Sequence, residues 1–226
     1  MHLRKKVAAI VLAGGTGSRF GGTGNKVYQP LNGKPVIMYS LEAFDSHPEV
    51  DEIIIVIREG EEDMLGRPAL KKPYRIVTGG ASRRESVYNG ITATRADIVL
   101  IQDGARPFLK AYYITDCLKA IESHPGATIA VRSKDTVKLS YENNLVMRTT
   151  NRTNTWLVQT PQCFHRLVLV HAHEIFGPDD PTDDCVMLEK AKREVMLVSG
   201  DDTNIKITTR SDMILAEHIL SEYRYV

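Results

Sequence analysis

The sequence predicts an α/β fold in which a doubly wound, mostly parallel sheet carries a protruding β-hairpin arm. The main observation is a set of short apolar runs without polar alternation, which is typical of strands covered on both faces. These runs alternate with segments of helical spacing, and the β-α-β order favours a parallel sheet. The predicted strands cover residues 7–13, 52–57, 74–77, 97–101 and 128–131, and the predicted helices cover residues 35–44, 84–94 and 112–123.

A different pattern begins at residue 133. Two strand-like runs, residues 135–139 and 145–149, flank a turn-like cluster at residues 141–144, which predicts a hairpin arm over residues 133–152. A lone hairpin is marginal in water, so we expect this arm to pack against a second subunit. The rest of the chain predicts an apolar segment, a helix, an acidic solvated loop, a strand and a final helix, at residues 157–164, 167–175, 178–184, 195–198 and 212–223.

Composition and charge narrow the class of protein. The 226 residues, 42% of them hydrophobic, suit a single domain over residues 1–226. Because 29 Lys+Arg face 28 Asp+Glu, the net charge is +1, and we expect no nucleic-acid partner and only a local anion site. The first apolar run is short and ends at two glycines, which argues against a signal peptide or a membrane partner. The three cysteines are isolated in sequence, which favours a reducing cytoplasm.

A glycine-rich loop follows the first predicted strand, at residues 12–22, and Lys26 lies just beyond it. Glycines let backbone N–H groups approach phosphate oxygens, and Arg19 and Lys26 would add positive charge there. The alternative is a flexible turn, which glycine clusters usually are. A dinucleotide-binding loop is excluded because Phe20 stands at the third glycine position, and a Walker A loop is excluded because no Gly-Lys-Ser/Thr is present.

Two further motifs follow predicted strands. Residues 79–87 open a helix, so their amides and Ser86 could hold a nucleotide, although Ser82 and Glu85 also fit a simple capping box. Residues 101–108 place Asp103 at a strand end, where a carboxylate could bind Mg²⁺ shared with phosphates. The alternative for this third motif is a structural ion pair between Asp103 and Arg106. Since carboxyl ends of parallel strands meet at one edge, all three motifs should cluster there.

Other polar residues carry weaker signals. Arg152 and Lys206 would not be selected by spacing alone, because lone basic residues are mostly solvated. The histidines show no metal-ligand spacing, and structural roles are expected for them. The acidic stretch 178–184 lacks the spacing and the glycine of an EF-hand, so we interpret it as a solvated loop.

Taken together, the motifs resemble those of the 2-C-methyl-D-erythritol 4-phosphate cytidylyltransferase family, whose members act in non-mevalonate isoprenoid synthesis. Each motif is weak alone, but seven in the family's order are specific, and the resemblance extends from Val7 to about Ala216. The motifs lie at residues 12–26, 79–87, 103–107, 135–138, 159–164, 182–184 and 204–208.

The resemblance implies a Rossmann-like nucleotidyltransferase fold, CTP as co-substrate, Mg²⁺ as metal ion, and a homodimer with interlocking arms. It also implies in-line attack on the α-phosphate of CTP, with Thr136 and Arg152 serving the neighbouring subunit's site. The implied catalytic residues are Arg19, Lys26, Arg152 and Lys206. Those implied for the nucleotide are Ala13, Gly14, Gly15, Gly17, Gly80, Ser86 and Gly104, and those for the sugar phosphate are Asp103, Arg106, Thr136 and Thr160, with Asp103 also the candidate metal ligand.

Two departures keep alternatives open. Gln102 stands where many family members have His, and Val27 stands where Gln is common. A close relative, ribitol-5-phosphate cytidylyltransferase, shares the glycine loop, the third motif and the motif around Lys206, so its acceptor is an alternative. A catalytically silent nucleotide-binding module is a further alternative, whereas Phe20 disfavours an NAD-dependent reductase.

Overall fold

A computed structural model describes residues 5–15, 24–175 and 181–222. Within them, seven strands form one sheet. The strands are β1 (Val7–Leu12), β4 (Glu52–Ile57), β5 (Tyr74–Thr78), β6 (Ile98–Asp103), β7 (Gly126–Arg132), β10 (Trp156–His165) and β11 (Val195–Ser199). Their order in the sheet is β11-β7-β10-β6-β1-β4-β5. All neighbouring pairs are parallel except those of β10, which runs antiparallel to β6 and β7. The prediction of a mostly parallel α/β sheet is confirmed.

Helices cover both faces of this sheet, which explains the unbroken apolar runs. Ala9 and Val11 of β1 pack into one core cluster, and Ile10 between them packs into the other. The first cluster is completed by α1 (Val36–Ser46) and α4 (Ala111–Ala120), and the second by α3 (Arg83–Thr92), α5 (Arg166–Ile175) and α6 (Cys185–Lys190). A strand buried on both faces needs apolar residues at every position, because successive side chains point to opposite faces.

Smaller elements complete the chain. A two-residue ladder joins β2 (Pro30–Leu31) to β3 (Lys34–Pro35), α2 spans Glu62–Leu65, and α7 spans Arg210–Glu222. The predicted arm is a separate two-stranded hairpin of β8 (Lys138–Ser140) and β9 (Val146–Thr149). None of the helices in the described parts of the chain is long and apolar enough to cross a membrane.

The structure also differs from the sequence predictions. Helix α6 falls where no helix was predicted, and the segment 157–164 belongs to an antiparallel strand with a register shift between Val158 and Gln162. The prediction of a solvated acidic loop is wrong for its described end, because Asp184 is fully buried. Burial of a carboxylate requires a nearby cation, and sequence spacing gave no sign of one.

Gly90 fixes how closely α3 approaches the sheet. A Cβ at this position would lie 2.6 Å from Cγ2 of Ile10 and 3.0 Å from Cγ2 of Val56. We expect Gly90→Ala to lower the free energy of unfolding by about 2 kcal/mol, because overpacking outweighs the better helix propensity of alanine. Urea denaturation measures the change, and Gly15→Ala is the control because its added methyl would meet nothing within 4 Å. Equal stability of the two variants would contradict this account of the packing.

Candidate active site

The carboxyl ends of β1, β4, β5 and β6 meet at one edge of the sheet, where the predicted motifs lie. Ala13 and Gly14 follow β1, and Ala13 N–H pairs with Val56 O of β4 at 2.7 Å. The side-chain amide of Asn25 donates to Ala13 O and, at 3.0 Å, to Oε2 of Glu61. The loop that leaves the sheet at Gly14 is therefore tied back to it at Asn25. Arg19 and Gly17, both predicted site residues, lie outside the described residues.

Among the described residues, one cleft at this edge opens beside the glycines. Its volume is about 550 Å³, and Arg58 places a positive charge on its wall. Backbone from three strand ends forms most of the remainder. The lining comprises Gly14, Arg58, Glu59, Gly60, Thr78, Gly79, Gly80 and Ala81. The N–H groups of Gly79, Gly80 and Ala81 already donate to Ile57 O, Ser86 Oγ and Glu85 Oε2. The cleft therefore suits a nucleotide through the space that its glycines leave and through the Arg58 guanidinium.

Ser86 supports the glycine loop that lines this cleft. Its hydroxyl accepts the Gly80 N–H at 3.1 Å and donates to Ser82 O at 2.9 Å. A Cβ at Gly79 would lie 2.8 Å from that hydroxyl oxygen. Glycine is therefore required where the loop passes over Ser86. The Ser82 half of the predicted capping box is confirmed, since Ser82 Oγ accepts the Glu85 N–H at 3.1 Å. The Glu85 carboxylate accepts the N–H of Ala81, at 2.7 Å, in place of that of Ser82.

Gly104 lies where the ends of β1 and β6 approach each other closely. Its N–H donates to Leu12 O at 2.9 Å, and a Cβ on it would lie 2.8 Å from the same oxygen. The close approach of the β1 and β6 ends thus requires glycine. Because its N–H is already paired with Leu12, Gly104 can contribute to nucleotide binding only through shape or its carbonyl.

The second cleft is smaller, about 270 Å³, and strongly charged. It is centred on Asp103 at the end of β6, whose carboxylate lies 2.7 Å from Nζ of Lys206. Nε of Arg106 lies 3.8 Å away, and Nε of Arg83 lies 3.9 Å away. The lining comprises Arg83, Asp103, Arg106, Val158, Gln159, Thr160, Gln162, Thr182, Asp183 and Lys206. Three cations around one carboxylate form a site for an anion such as a phosphate.

Hydrogen bonds tie the Lys206 loop to Asp103 and its neighbours. Ile207 N–H donates to Ala105 O at 2.9 Å, and the Arg106 guanidinium donates to Asn204 O at 2.7 Å. The buried Asn204 amide in turn donates to Thr160 O at 3.0 Å. Lys206 is therefore held over Asp103 by hydrogen bonds of its own loop, made by both backbone and side chains, which sequence spacing did not reveal.

Gln102, the departure noted in the sequence, supports two predicted site residues. Its carbonyl oxygen accepts the Thr160 hydroxyl at 2.9 Å, and its amide donates to Arg106 O at 3.2 Å. The Thr160 hydroxyl also accepts the Asp103 N–H at 3.2 Å. A neutral amide can donate and accept at once, so glutamine fits this fully buried position.

Lys26 lies in the 3₁₀ turn Lys26–Tyr28, directly after Asn25. It contributes to the electrostatics of Asp212, whose carboxylate accepts the N–H groups of Thr208 and Thr209 at 2.8 and 2.7 Å. Burial alone would raise the pKa of Asp212, but these hydrogen bonds and the Lys26 charge lower it. Lys26 is thus near the loop that carries Lys206.

A family model for 2-C-methyl-D-erythritol 4-phosphate cytidylyltransferase matches residues 7–222. The chain belongs to this family. A relative named for that enzyme in Caldanaerobacter subterraneus is 40% identical over 95% of this chain and 98% of its own, and one in Clostridium tetani is 39% identical over 98% and 93%. The crystal structure of 4-diphosphocytidyl-2C-methyl-D-erythritol synthase from Anaerococcus prevotii is 31% identical and covers 96% of this chain and 99% of its own, with a TM-score of 0.84.

Two residues that the cytidylyltransferase family resemblance assigns to the site stand apart from both clefts. Thr136 and Arg152 lie at the base of the hairpin arm and are exposed. Arg152 donates to Lys134 O at 3.5 Å, and neither residue lines either cleft of its own chain. The structure of one chain therefore brings Asp103, Arg106, Thr160 and Lys206 together but leaves these two outside.

The surroundings of Asp103 do not suit a protein-bound Mg²⁺. Burial would raise the pKa of Asp103, yet Lys206, Arg83 and Arg106 hold it well below its usual value. A dication on this carboxylate would have to displace Lys206 and lie beside two guanidinium groups. Within the described residues no group of three His, Cys, Asp or Glu side chains could hold a metal ion. A metal ion bound to Asp103, the candidate metal ligand, therefore does not fit the donor set.

Asp103 should also control stability. We expect Asp103→Asn to lower the free energy of unfolding at pH 7 by about 3 kcal/mol, because the Lys206 and Arg106 charges lose their counter-ion in a mostly buried site. The pKa of Asp103 is lower in the folded than in the unfolded protein. Its contribution is therefore complete above about pH 5, since the unfolded pKa is about 3.9, and is lost as the pH falls toward its folded pKa.

Urea denaturation from pH 7 to pH 3 tests this expectation. The wild-type protein should lose more stability than Asp103→Asn over that range, because the variant lacks the titrating group. Parallel stability curves would show that Asp103 does not carry the acid dependence.

Proposed function

We propose that this chain transfers CMP from CTP to 2-C-methyl-D-erythritol 4-phosphate and releases pyrophosphate. The observation that carries the proposal is the adjacency of two clefts of different chemistry. The glycine-walled cleft ends at Ala81, and Arg83, two residues on, lines the cationic cleft around Asp103. A nucleotide in the first would present its phosphates toward a sugar phosphate in the second. Family membership supplies the chemical identity of the two ligands.

The reaction is a direct displacement. An oxygen of the acceptor's phosphate monoester attacks the α-phosphorus of CTP, the bond from that phosphorus to the α-β bridging oxygen breaks, and pyrophosphate leaves with the bonding pair. The nucleophile is already anionic, so no general base is required. Catalysis then depends on positioning the two phosphates and on neutralising charge.

The cations divide this work. Lys206 and Arg106 stand over the second cleft, where they orient the acceptor's phosphate, and Asp103 keeps the Lys206 ammonium in place at 2.7 Å. Lys26, in the 3₁₀ turn, and Arg19, outside the described residues, are proposed to stabilise the negative charge that grows on the α-phosphate. A divalent cation is proposed to bind the triphosphate itself, because Asp103 is already paired.

We also propose that the arms join two chains into a homodimer. The hairpin exposes four apolar side chains, those of Tyr141, Leu145, Val146 and Met147, with 48–64% of each residue accessible. Large apolar side chains exposed on an isolated hairpin are typical of a protein interface. Pairing through the arms gives Thr136 and Arg152 access to the partner's second cleft, which their own chain does not give them.

A reducing cytoplasmic compartment fits the cysteines. Cys117, Cys163 and Cys185 are all free and buried, and burial raises the pKa of each thiol. Thiols of this kind are inert apolar residues and form no disulfide framework.

The test compares two acceptors in one assay. Initial rates of pyrophosphate release from CTP are measured with methylerythritol phosphate and with ribitol 5-phosphate, each over a range of concentrations. We expect kcat/KM for methylerythritol phosphate to be higher by about 10²-fold, because a misfitted polyol loses hydrogen bonds in a polar cleft. A preference for ribitol phosphate would support that alternative, and CTP binding without release would indicate a silent nucleotide-binding module.

A further inference from the structure

Asp184 lies beneath the second cleft and has no part in its lining. The residue is fully buried, and its Oδ2 accepts Nη2 of Arg83 at 2.8 Å. The same guanidinium places Nε 3.9 Å from Oδ1 of Asp103. Arg83 therefore spans two carboxylates, of which Asp103 faces the substrate and Asp184 faces the protein interior.

The carboxylate of Asp184 is rigidly placed. Its backbone N–H donates to the side-chain oxygen of Gln162 on β10 at 3.1 Å. The amide of Gln162 donates in turn to Thr128 on β7, at 3.2 Å, and to Asp183, at 3.3 Å. Asp184 also precedes the first turn of α6. This anchor therefore rests on two interior strands of the sheet.

The Asp184 carboxylate affects how strongly the Arg83 guanidinium interacts with Asp103. Burial would lower the pKa of Arg83, but Asp184 and then Asp103 raise it, so the guanidinium remains charged. Burial raises the pKa of Asp184, and Arg83 opposes that rise. Within the described residues Nη1 of Arg83 makes no hydrogen bond. If Arg83 lost its contact with Asp184, its guanidinium would be able to rotate and pair with both oxygens of Asp103. Bidentate pairing with a carboxylate is strongly favoured.

Such a turn would compete with Lys206 for Asp103. Lys206 is the cation closest to Asp103, at 2.7 Å, and it is also the more exposed partner, with 39% of its side chain accessible. We infer that Asp184 is a positioning residue that, by holding Arg83, reserves Asp103 for Lys206 and keeps the second cleft shaped for the acceptor's phosphate. The inference rests on the proposed function, because it assigns the second cleft to the acceptor.

The test compares the effect of each substitution on KM for methylerythritol phosphate with its effect on KM for CTP. Asp184→Asn keeps an oxygen for Arg83 but removes the charge, and Arg83→Lys keeps the charge but cannot span both carboxylates. In each folded variant we expect KM for methylerythritol phosphate to rise about tenfold and KM for CTP to change less than about threefold. The pair acts as one unit, so the double variant should be little worse than the worse single variant.

The control is Asp45→Asn in α1, whose carboxylate accepts the N–H groups of Lys71 and Lys72, just before β5, at 2.9 and 2.8 Å. Both KM values of this variant should match the wild type. If Asp184 had only a structural role, Asp184→Asn would change the melting temperature but leave both KM values at those of the wild type. This result would overturn the inference. If Asp184→Asn does not fold, Arg83→Lys decides by the same two outcomes.

Failure of the proposed function gives a different result. A wild-type protein that binds CTP but releases no pyrophosphate contradicts that proposal alone. Calorimetric titration with inorganic phosphate then tests the inference without turnover. Weaker phosphate binding by both variants, with the Asp45→Asn protein unchanged, would support the positioning role, and unchanged binding by all three would overturn it.

Discussion

Replacing Lys26 by alanine is expected to lower kcat for CMP transfer by about 10²–10³-fold, with KM for CTP changed by less than about threefold. The α-phosphate gains negative charge as the new bond forms, so an ammonium beside it stabilises the transition state more than bound CTP. Steady-state pyrophosphate release measures both constants. Circular dichroism and melting temperature establish that the variant is folded, since Lys26 also contributes to the field at Asp212.

The matched control is Lys119→Ala, which removes a lysine of α4 with 70% of its side chain exposed. Its kcat should equal that of the wild type, because charges that far into solvent are screened. Near-normal turnover by Lys26→Ala would remove Lys26 from the mechanism. A raised KM for CTP with unchanged kcat would instead make Lys26 a ground-state binding residue.

Mixing two inactive variants is expected to restore activity. If Arg152 serves the partner's site, a dimer of one Lys26→Ala chain and one Arg152→Ala chain has one doubly defective site and one intact site. Half of the dimers formed from equal amounts are mixed, so activity should recover to about one quarter of the wild-type value. Each variant alone should be lower by at least about 10²-fold, because each removes a charge from the reacting phosphates.

The measurement uses co-expressed chains with different affinity tags and assays pyrophosphate release by the purified mixture. The control mixes Lys26→Ala with Lys206→Ala, because both residues act within one chain and no mixed dimer then has an intact site. Activity in the control but not in the first mixture would show that Lys206, and not Arg152, crosses the dimer. No recovery in either mixture would place Arg152 in its own chain's site.

The central sheet was predictable because its physics is local. A run such as residues 7–13 has apolar residues on both faces, and only a strand between two helical layers satisfies that pattern. The direction of β10 was not predictable in the same way. Its sequence is compatible with either direction, and only its pairing with β6 and β7 makes it antiparallel.

In the candidate site, too, features that depend on neighbouring residues were predictable from the sequence, whereas contacts between distant residues were not. Glycines at positions 79, 80 and 104 stand where the sequence predicts close approach of the backbone, and a Cβ at each would lie within 3.0 Å of a neighbouring atom. Asp184 and Arg83, in contrast, are 101 residues apart and meet only after folding. The acidic stretch looked like a solvated surface because charge in a sequence does not reveal its partner.

³¹P NMR of a single reaction follows the displacement itself, in which an acceptor phosphate replaces pyrophosphate on the α-phosphorus of CTP. Wild-type protein is incubated with CTP, methylerythritol phosphate and Mg²⁺. We expect the acceptor's monoester signal to be replaced by two coupled diphosphate signals. One pyrophosphate should form for each acceptor molecule consumed. Persistence of the monoester signal, with CTP intact or hydrolysed to CMP, would contradict the proposed displacement.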